Sequence, residues 1–236
     1  MPKTEPLDAA VAWGEPLTRS VEDYLKAIYQ LSPEGGRPAS TSDIAHLLAL
    51  SPPSVTGMVK RLSEHGLLEH VPYRGVQLTD EGRRAALRMV RRHRLIEAYL
   101  VEFLGYPWDT VHDEAERLEH AVSDTLVERM AAALGNPDVD PHGDPIPSAD
   151  GFVQQLSCTP LSDIPVGDRV EVHRVHESQP DRLRYIASLG IKPGVRIKVL
   201  DREPFDELVT IEVAGRKHVV GRELSHVLQC SRTGDA

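Results

Sequence analysis

The spacing of apolar residues in the first third of the chain predicts three helices followed by a β-hairpin. Apolar residues recur every three or four positions after polar residues that can cap a helix, so helices are expected to begin near Val21, near Ser40 and at Ser51. Residues 67–71 and 76–78 flank a Pro-Tyr-Arg-Gly turn and are expected to pair as strands. This order is typical of a winged helix-turn-helix, which places its third helix in the major groove of DNA.

The apolar period stays helical through the middle of the chain and changes towards its end. One long helix is predicted over residues 79–104 and another over residues 110–134, separated by Gly105-Tyr-Pro. Residues 136–151 contain too much proline, glycine and aspartate for regular structure and are expected to form a linker. The remainder predicts a small β-barrel with strands at 170–175, 195–200 and 208–213 and a helix at about 180–189.

Composition adds a charge asymmetry to this outline. The 236 residues carry a formal net charge of −9, but residues 37–94 contain ten Lys and Arg against five Asp and Glu. A basic segment within an acidic chain suits local contact with phosphates, because salt screens attraction beyond about 10 Å. Cys158 and Cys230 form no paired motif and are compatible with a reducing cytoplasm. No apolar run is long enough to span a bilayer, so we expect a cytoplasmic protein without a membrane partner.

The outward face of the third predicted helix offers groups suited to DNA. Short polar side chains can approach base edges, whereas long cationic side chains reach phosphates. The candidate DNA-binding residues are Ser51, Pro53, Ser54, Thr56, Lys60 and Arg61 of this helix, with Arg74 at the tip of the hairpin. A small three-helix domain with a solvated polar face would show a similar pattern, but the local excess of positive charge favours DNA binding.

The two long helices carry potential metal ligands. At 100° per residue, the side chains that fall within an arc of about 100° on the second helix are His112, Glu116, Glu119 and His120. The preceding helix offers His93 and Glu97 four residues apart. Imidazole and carboxylate ligands without Cys or Met favour Mn²⁺, or alternatively Fe²⁺, over Zn²⁺ or Cu⁺. Such residues also form solvated ion-paired faces, but their presence on two helices beside an apolar seam favours a metal site.

At these residues the sequence resembles the diphtheria-toxin-repressor/manganese-transport-regulator (DtxR/MntR) family of metal-dependent repressors, over roughly residues 20–230. The motifs that carry the resemblance are Asp23-Tyr-Leu-Lys-Ala-Ile-Tyr, Ser51-Pro-Pro-Ser-Val-Thr, Arg92-His-Arg-Leu-Ile-Glu97, Val111-His-Asp-Glu-Ala-Glu-Arg-Leu-Glu-His120 and Gly143-Asp-Pro-Ile-Pro147. The end of the chain, from Leu189-Gly-Ile-Lys-Pro-Gly194 onward, is similar to the SH3-like, FeoA-type domain of long family members.

Together, the pattern of elements and the resemblance imply an α fold with a small β part. Residues 1–17 are expected to be a flexible N-terminus, followed by a winged helix-turn-helix DNA-binding domain at 18–80. Metal-binding and dimerisation helices with a linker are expected at 81–150, and an SH3-like β-barrel at 151–236.

The resemblance also assigns ligands to two neighbouring metal sites. The ligands that it implies are Asp23, Glu116, Glu119 and His120 for the primary site, and His93, Glu97 and His112 for the neighbouring site. Iron-type members carry Met and Cys at the positions of Asp23 and Glu116, so these two acids resemble the manganese regulators.

Several positions depart from the family pattern or leave it open. Lys26 stands where the manganese regulators carry a second acid, which argues against a binuclear site of their type. Gly57 replaces the recognition-helix Gln of the toxin-repressor type, whereas the wing arginine is kept as Arg74. Long members take further ligands for the neighbouring site from the C-terminal domain, where this chain offers Glu177, Gln179 or Asp181 without a basis for choosing among them.

The resulting hypothesis is a metal-dependent transcriptional regulator rather than an enzyme. Loaded with Mn²⁺ or Fe²⁺, a homodimer would bind a palindromic double-stranded operator and repress metal-uptake genes. One alternative is a winged-helix regulator that senses an organic ligand or a protein partner through the C-terminal barrel. A less favoured alternative is a metal-dependent hydrolase, for which no nucleophile or phosphate loop is evident in the sequence.

Overall fold

The computed structural model describes residues 17–32, 36–155, 157–204 and 208–232. The chain divides into two compact units, residues 1–90 and residues 91–236. Of the segment 1–17 that was predicted to be flexible, residues 1–16 lie outside the described residues, and Leu17 packs against the core of the first unit. Within the part of the chain that is described, no helix combines the length and apolarity needed to cross a membrane.

The first unit contains the three helices and the hairpin that the apolar spacing predicts. Its elements are α1 (Arg19–Leu31), α2 (Thr41–Leu47), α3 (Pro52–Glu64), β1 (Leu68–Val71) and β2 (Gly75–Leu78), followed by the start of α4 (Asp80–Leu104). Ser40 caps α2 by accepting a hydrogen bond from the amide of Asp43. The helices bury one apolar face each, and every fully buried Leu or Ile, such as Leu25 and Ile28, contributes roughly 1.5–3 kcal/mol.

The hairpin of the first unit is held close to the segment before α2. β1 and β2 are antiparallel, with Leu68 opposite Leu78. Ala39 forms a bridge with Val76, and its carbonyl oxygen would lie 2.1 Å from a Cβ added at Gly75, where φ is +128°. Only glycine therefore allows the hairpin to approach this closely. The winged helix-turn-helix prediction is confirmed as a fold element.

The prediction of one long helix over residues 110–134 is wrong, because two shorter helices cover this segment. α5 (Val111–Leu118) and α6 (Asp124–Ala133) are separated by residues 119–123. Ser123 has an extended backbone, with φ −78° and ψ 153°, and its side chain accepts a hydrogen bond from the amide of Leu126. A serine that caps a new helix competes with continuation of the old one, which explains the break.

The segment that was predicted to be a linker has no regular helix or strand but is well packed. Residues 139 and 145 form an isolated bridge, and Asp140, His142 and Ile146 are buried. At Gly143, where φ is +86°, an added Cβ would lie 1.9 Å from the carbonyl oxygen of His173. Glycine thus brings this loop against the C-terminal sheet.

The end of the chain forms one antiparallel sheet in the order β3-β8-β4-β5-β6-β7. Its elements are β3 (Thr159–Pro160), a 3-10 turn (Leu161–Asp163), β4 (Arg169–Val175), α7 (Pro180–Ser188), β5 (Arg196–Arg202), β6 (Val209–Val213), β7 (Arg216–Val220), α8 (Arg222–Val227) and β8 (Leu228–Arg232). β4, β5 and β6 alternate as predicted, whereas β3, β7, β8 and α8 were not predicted. The inward residues of the sheet form a core that includes Trp108.

The prediction of a closed SH3-like barrel is wrong for the residues described, because β3 and β7 remain the two edges of an open sheet. β3 comprises only two residues, and one of them is Pro160. Proline has no amide hydrogen to donate, so β3 has little to offer to a second partner strand.

Candidate metal centre and DNA-binding surface

A buried cluster of His93, Glu97 and His112 joins α4 to α5. Nε2 of His93 lies 2.9 Å from Oε1 of Glu97 and 3.0 Å from Nδ1 of His112. The same Glu97 oxygen lies 3.0 Å from Nδ1 of His112. The structure therefore brings together the three residues that were predicted for the neighbouring site, and their role as metal ligands stays a prediction.

His93 also reaches the residues at the end of α5. Its Nδ1 lies 2.5 Å from Oε2 of Glu119 and 3.8 Å from Oε1 of Glu116. Oε1 of Glu119 lies 3.4 Å from Nε2 of His120. Glu119 keeps helical dihedrals as the C-cap of α5 and so shares a face with His112 and Glu116, whereas His120 follows in the break.

A neutral His93 ring does not satisfy both of the carboxylates that face it, so a positive charge is needed at this point. A neutral ring has one N–H, yet its two nitrogens face the carboxylates of Glu97 and Glu119 at 2.9 and 2.5 Å. Both carboxylates are buried, with exposed fractions of 2% and 0%. Buried charges need compensation, by a proton on the ring or by a metal ion held between these groups. The donor set of nitrogen and oxygen atoms therefore fits a divalent metal ion.

The electrostatics of Glu97 keep its carboxyl ready to bind a cation. Burial would raise the pKa of Glu97, but hydrogen bonds with His112 and His93 and the nearby ring of His142 hold that pKa well below its usual range. Glu97 is therefore ionised in the neutral pH range, as a metal ligand must be.

A third group next to Glu97 was missed by the sequence analysis, because it lies in the predicted linker. Glu97, Asp140 and His142 are all buried and have ligand atoms within 4.8 Å of one another. Nε2 of His142 lies 2.8 Å from the carbonyl oxygen of Trp108, which fixes the proton on Nε2 in the neutral ring. Nδ1 is then a lone pair that faces Oε2 of Glu97 at 3.8 Å. The spacing Asp-Pro-His before Gly143 was the available signal.

The surroundings of Asp140 and His142 raise the pKa values of both residues. Burial and the nearby carboxylates of Asp144 and Glu97 raise the pKa of Asp140 to about 7. Burial disfavours a charged His142, but the carboxylates of Glu97 and Asp140 outweigh that effect and raise its pKa. A cation at this position would relieve the repulsion between Asp140 and Glu97.

The loop that carries Asp140 and His142 is anchored to α4 and to the C-terminal sheet. Arg94 donates to the carbonyl oxygen of Pro145, and its Nε lies 3.6 Å from Oδ2 of Asp140. The amide of Val175 donates to the carbonyl oxygen of His142 over 2.8 Å, and the ring of His142 stacks on Trp108. The positions of Asp140 and His142 thus depend on contacts with α4, with β4 and with Trp108 between α4 and α5.

Glu177, Gln179 and Asp181, the possible further ligands from the C-terminal domain, make other contacts in the structure. The carboxylate of Glu177 accepts hydrogen bonds from the amides of Ser178 and Gln179 at the start of α7. Asp181 is exposed and pairs with Arg184. Among the residues described, no metal-binding group includes Glu177 or Asp181.

In the first unit, α1 carries Asp23 and Lys26. Asp23 is half-buried, and Lys26 is buried with an exposed fraction of 6%. The assignment of Asp23 to the primary metal site stays a prediction.

The candidate DNA-binding residues of the first unit are all exposed, namely Ser51, Pro53, Ser54, Thr56, Lys60, Arg61 and Arg74. The hydroxyl groups of Ser51 and Ser54 lie 2.8 Å apart, and that of Thr56 donates to the carbonyl oxygen of Pro52 over 3.0 Å. Nζ of Lys60 lies 3.9 Å from Oε1 of Glu64, an exposed pair that costs little to separate. These side chains can therefore reach a DNA duplex without loss of buried structure, and their role in DNA binding stays a prediction.

Comparison with known proteins identifies the chain's family. The family model of the iron dependent repressor N-terminal DNA binding domain matches residues 16–76, and that of the iron dependent repressor metal binding and dimerisation domain matches residues 79–148. The FeoA domain model matches residues 159–232. The iron-dependent repressor IdeR of Mycobacterium leprae is 32% identical, over 92% of this chain and 98% of that protein. This chain belongs to the iron-dependent repressor family, that is, the DtxR/MntR family.

Further relatives include solved structures that hold different metals. The diphtheria toxin repressor of Corynebacterium diphtheriae is 30% identical, over 90% of this chain and 97% of that protein. A solved structure of a manganese-dependent transcriptional repressor in complex with manganese is 42% identical, with a TM-score of 0.84, over 90% of this chain and 99% of that one. ScaR with bound Zn²⁺ is 34% identical, with a TM-score of 0.78, over 90% of this chain and 99% of that one.

Membership in this iron-dependent repressor family confirms the central predictions. The chain is a metal-dependent, DNA-binding transcriptional repressor of a family that dimerises. The family consists of transcriptional regulators and not of enzymes, which confirms the prediction against catalysis. The relatives differ in the metal that their names give, so the family by itself does not select Mn²⁺.

Proposed function

We propose that this repressor responds to Mn²⁺, with Fe²⁺ as the alternative, and binds a palindromic operator of metal-uptake genes as a dimer when loaded. The observation that carries the proposal is the donor set around His93 and Glu97, in which only imidazole nitrogens and carboxylate oxygens converge. Carboxylate oxygens combined with imidazoles, without a thiolate or a thioether, suit Mn²⁺ better than the softer ions. The relative at 42% identity is named as manganese-dependent, which supports the same metal.

Two neighbouring positions are proposed for the ions. At the first, Glu116, Glu119 and His120 would bind together with Asp23, which the family resemblance adds. At the second, Glu97 is the central ligand, with His93 and His112 on one side and Asp140 and His142 on the other.

The buried carboxylates near His93 suggest how metal binding could alter the affinity of the protein for DNA. A bound divalent cation would add positive charge beside the buried carboxylates of Glu97 and Glu119, both of which contact the ring of His93. The gain in DNA affinity on metal binding is limited by thermodynamic linkage. It equals the factor by which the DNA-binding conformation binds the metal ion more tightly than the other conformation does.

In a symmetric dimer, two copies of α3 would then meet the two half-sites of a palindrome. Because such a regulator acts on the genome, we propose a cytoplasmic location.

The test combines a double variant with a matched control. An operator is selected from random duplex DNA with the wild-type protein and Mn²⁺, and binding is followed by fluorescence anisotropy during metal titration. Asp23→Ala combined with Glu119→Ala is expected to abolish the metal-dependent rise in DNA affinity. Asp113→Ala, which removes an exposed acid of α5, is expected to leave that rise unchanged. Metal-dependent DNA binding that survives in the double variant would refute the proposed primary site.

The choice of metal is tested by the same titration under anaerobic conditions. Mn²⁺ and Fe²⁺ are compared at the free concentrations that produce half-maximal DNA binding, since availability in the cell as well as affinity decides occupancy. Activation by Fe²⁺ alone would select the alternative.

A further inference from the structure

Arg92 connects the two helix ends that flank the break between α5 and α6. Its Nη1 donates to the carbonyl oxygen of Glu119 over 3.1 Å, and its Nη2 donates to Oδ1 of Asp124 over 2.6 Å. Glu119 is the C-cap of α5 and Asp124 is the first residue of α6. One guanidinium group therefore spans the whole break, although it belongs to a third helix, α4.

The contact supplies what the end of α5 needs. The last carbonyl groups of a helix have no amide partner within it, and the helix dipole places partial negative charge there. A partly buried cation that donates to the carbonyl oxygen of Glu119 satisfies both needs. The arginine side chain is 14% exposed, and its planar fork directs separate N–H groups at the two acceptors in a fixed geometry, which the single ammonium nitrogen of lysine does not reproduce.

The backbone that Arg92 holds carries candidate metal ligands. The carboxylate of Glu119 is fully buried and points at Nδ1 of His93, the residue next to Arg92 on α4. His120 follows Glu119 directly. We infer that Arg92 is a positioning residue of the metal centre, which sets the orientation of Glu119 and His120 without itself binding the ion. This inference rests on the proposed function of the site.

Arg91 offers a matched control on the same helix. It forms an equivalent fork, donating from Nε and Nη2 to the carboxylate of Glu128 over 3.0 and 2.9 Å and from Nη1 to the carbonyl oxygen of Pro147 over 2.8 Å. Its side chain is 15% exposed, close to the 14% of Arg92. Neither Glu128 nor Pro147 belongs to a candidate metal-binding group, and both lie outside the break after Glu119, so loss of this fork leaves the contact that holds Glu119 in place.

The experiment measures Mn²⁺ affinity by electron paramagnetic resonance, the visible absorption spectrum of the Co²⁺-loaded protein, and thermal unfolding without metal. Arg92→Gln is expected to weaken Mn²⁺ binding about 10- to 100-fold, the usual effect of losing a group that orients a ligand, and to change the Co²⁺ spectrum. Arg91→Gln is expected to lower the unfolding temperature to a similar degree but to weaken Mn²⁺ binding and alter the Co²⁺ spectrum far less than Arg92→Gln does.

Two further variants keep the inference testable if Arg92→Gln does not fold. Arg92→Lys retains the charge but loses the planar fork, and Asp124→Ala removes the acceptor on α6 but keeps the contact with Glu119. We expect Arg92→Lys to weaken Mn²⁺ binding more than Asp124→Ala does. Wild-type affinity and spectrum in Arg92→Lys or Arg92→Gln, or an equal loss in Arg91→Gln, would overturn the inference alone. Failure of the wild-type protein to bind Mn²⁺ would overturn the proposed function, and the inference with it.

Discussion

The candidate DNA-binding surface of the first unit and the candidate metal ligands that lie in the second unit are built in opposite ways. The candidate DNA contacts are exposed side chains on one regular helix and one hairpin turn, and the side chain of Lys60 is 77% exposed. Among the candidate metal ligands of the second unit, five are buried, Glu119 fully so, and several lie in a helix break or a loop. The buried ones are His93, Glu97, Glu119, Asp140 and His142.

This difference has consequences for how each region responds to change. An exposed side chain on a regular helix makes its contact alone, so the effects of separate substitutions should add. In the metal centre each residue touches several others, as His93 does with Glu97, His112 and Glu119. Substitutions there should therefore be coupled and should alter both metal binding and stability.

The largest effect is expected from Glu97→Gln, which removes the charge that His93, His112 and His142 share. Mn²⁺ affinity at the second position should fall by more than the 10- to 100-fold typical of an outer-shell substitution, since a ligand itself is lost, and we expect a loss on the order of 100-fold or greater. Equilibrium dialysis followed by metal analysis measures it. Glu102→Gln, an exposed acid on the same helix, is the control. Equal metal content in the two variants would contradict the role assigned to Glu97.

An intermediate effect is expected from Lys60→Ala and Arg74→Ala, each of which removes a proposed phosphate contact. DNA affinity should fall about tenfold for each, with a salt dependence that is shallower by about one unit per contact, whereas Mn²⁺ affinity should not change. Anisotropy at several salt concentrations checks this. Arg216→Ala, an exposed cation of β7, serves as the control. A double variant that falls short of the sum of its parts, or a change in metal affinity, would break the contrast between the two regions.

The smallest effect is expected on the stability of the metal-free protein, where the buried carboxyl group of Asp140 has a cost that no exposed DNA-binding side chain has. Burial raises the pKa of Asp140 to about 7 from an ordinary value of 3.8, so the folded state binds more protons than the unfolded state between these values. Stability therefore falls as the pH rises through that range. Asp140→Asn keeps an oxygen that can accept from the amides of His142 and Asp144, and it removes the buried charge.

The expected result for Asp140→Asn is a higher unfolding temperature than wild type at pH 8 in the presence of a chelator. The rise should be a few degrees, at roughly 2–4 °C per kcal/mol for a chain of this size, and should shrink towards pH 4. Mn²⁺ binding should weaken in the same variant. Asp138→Asn, on the exposed part of the loop, is the control. A destabilised variant at pH 8 would show that Asp140 acts as a charged structural group instead.

Much of the fold followed from local sequence patterns, and the errors have physical reasons. The four helices up to Leu104, the hairpin, and strands β4, β5 and β6 each follow from a period that one short segment contains, whereas β7 and β8 were not predicted. The break at 119–123 was missed, since the apolar period continues across it and only the capping by Ser123 reveals a new helix. The open edge of the C-terminal sheet depends on which strands pair, which a local pattern does not contain.

The candidate site shows the same division. The spacing of His93 with Glu97 and of His112 with Glu116 placed these pairs on helix faces from the sequence alone. By itself, the sequence thus determined the elements, the types of ligand and, through its motifs, the family of metal-dependent repressors. Only the tertiary structure showed that Asp140 and His142 lie beside Glu97 and that Arg92 holds the break after Glu119. These contacts join residues about 25 to 45 positions apart through irregular backbone, where no period relates one side chain to another.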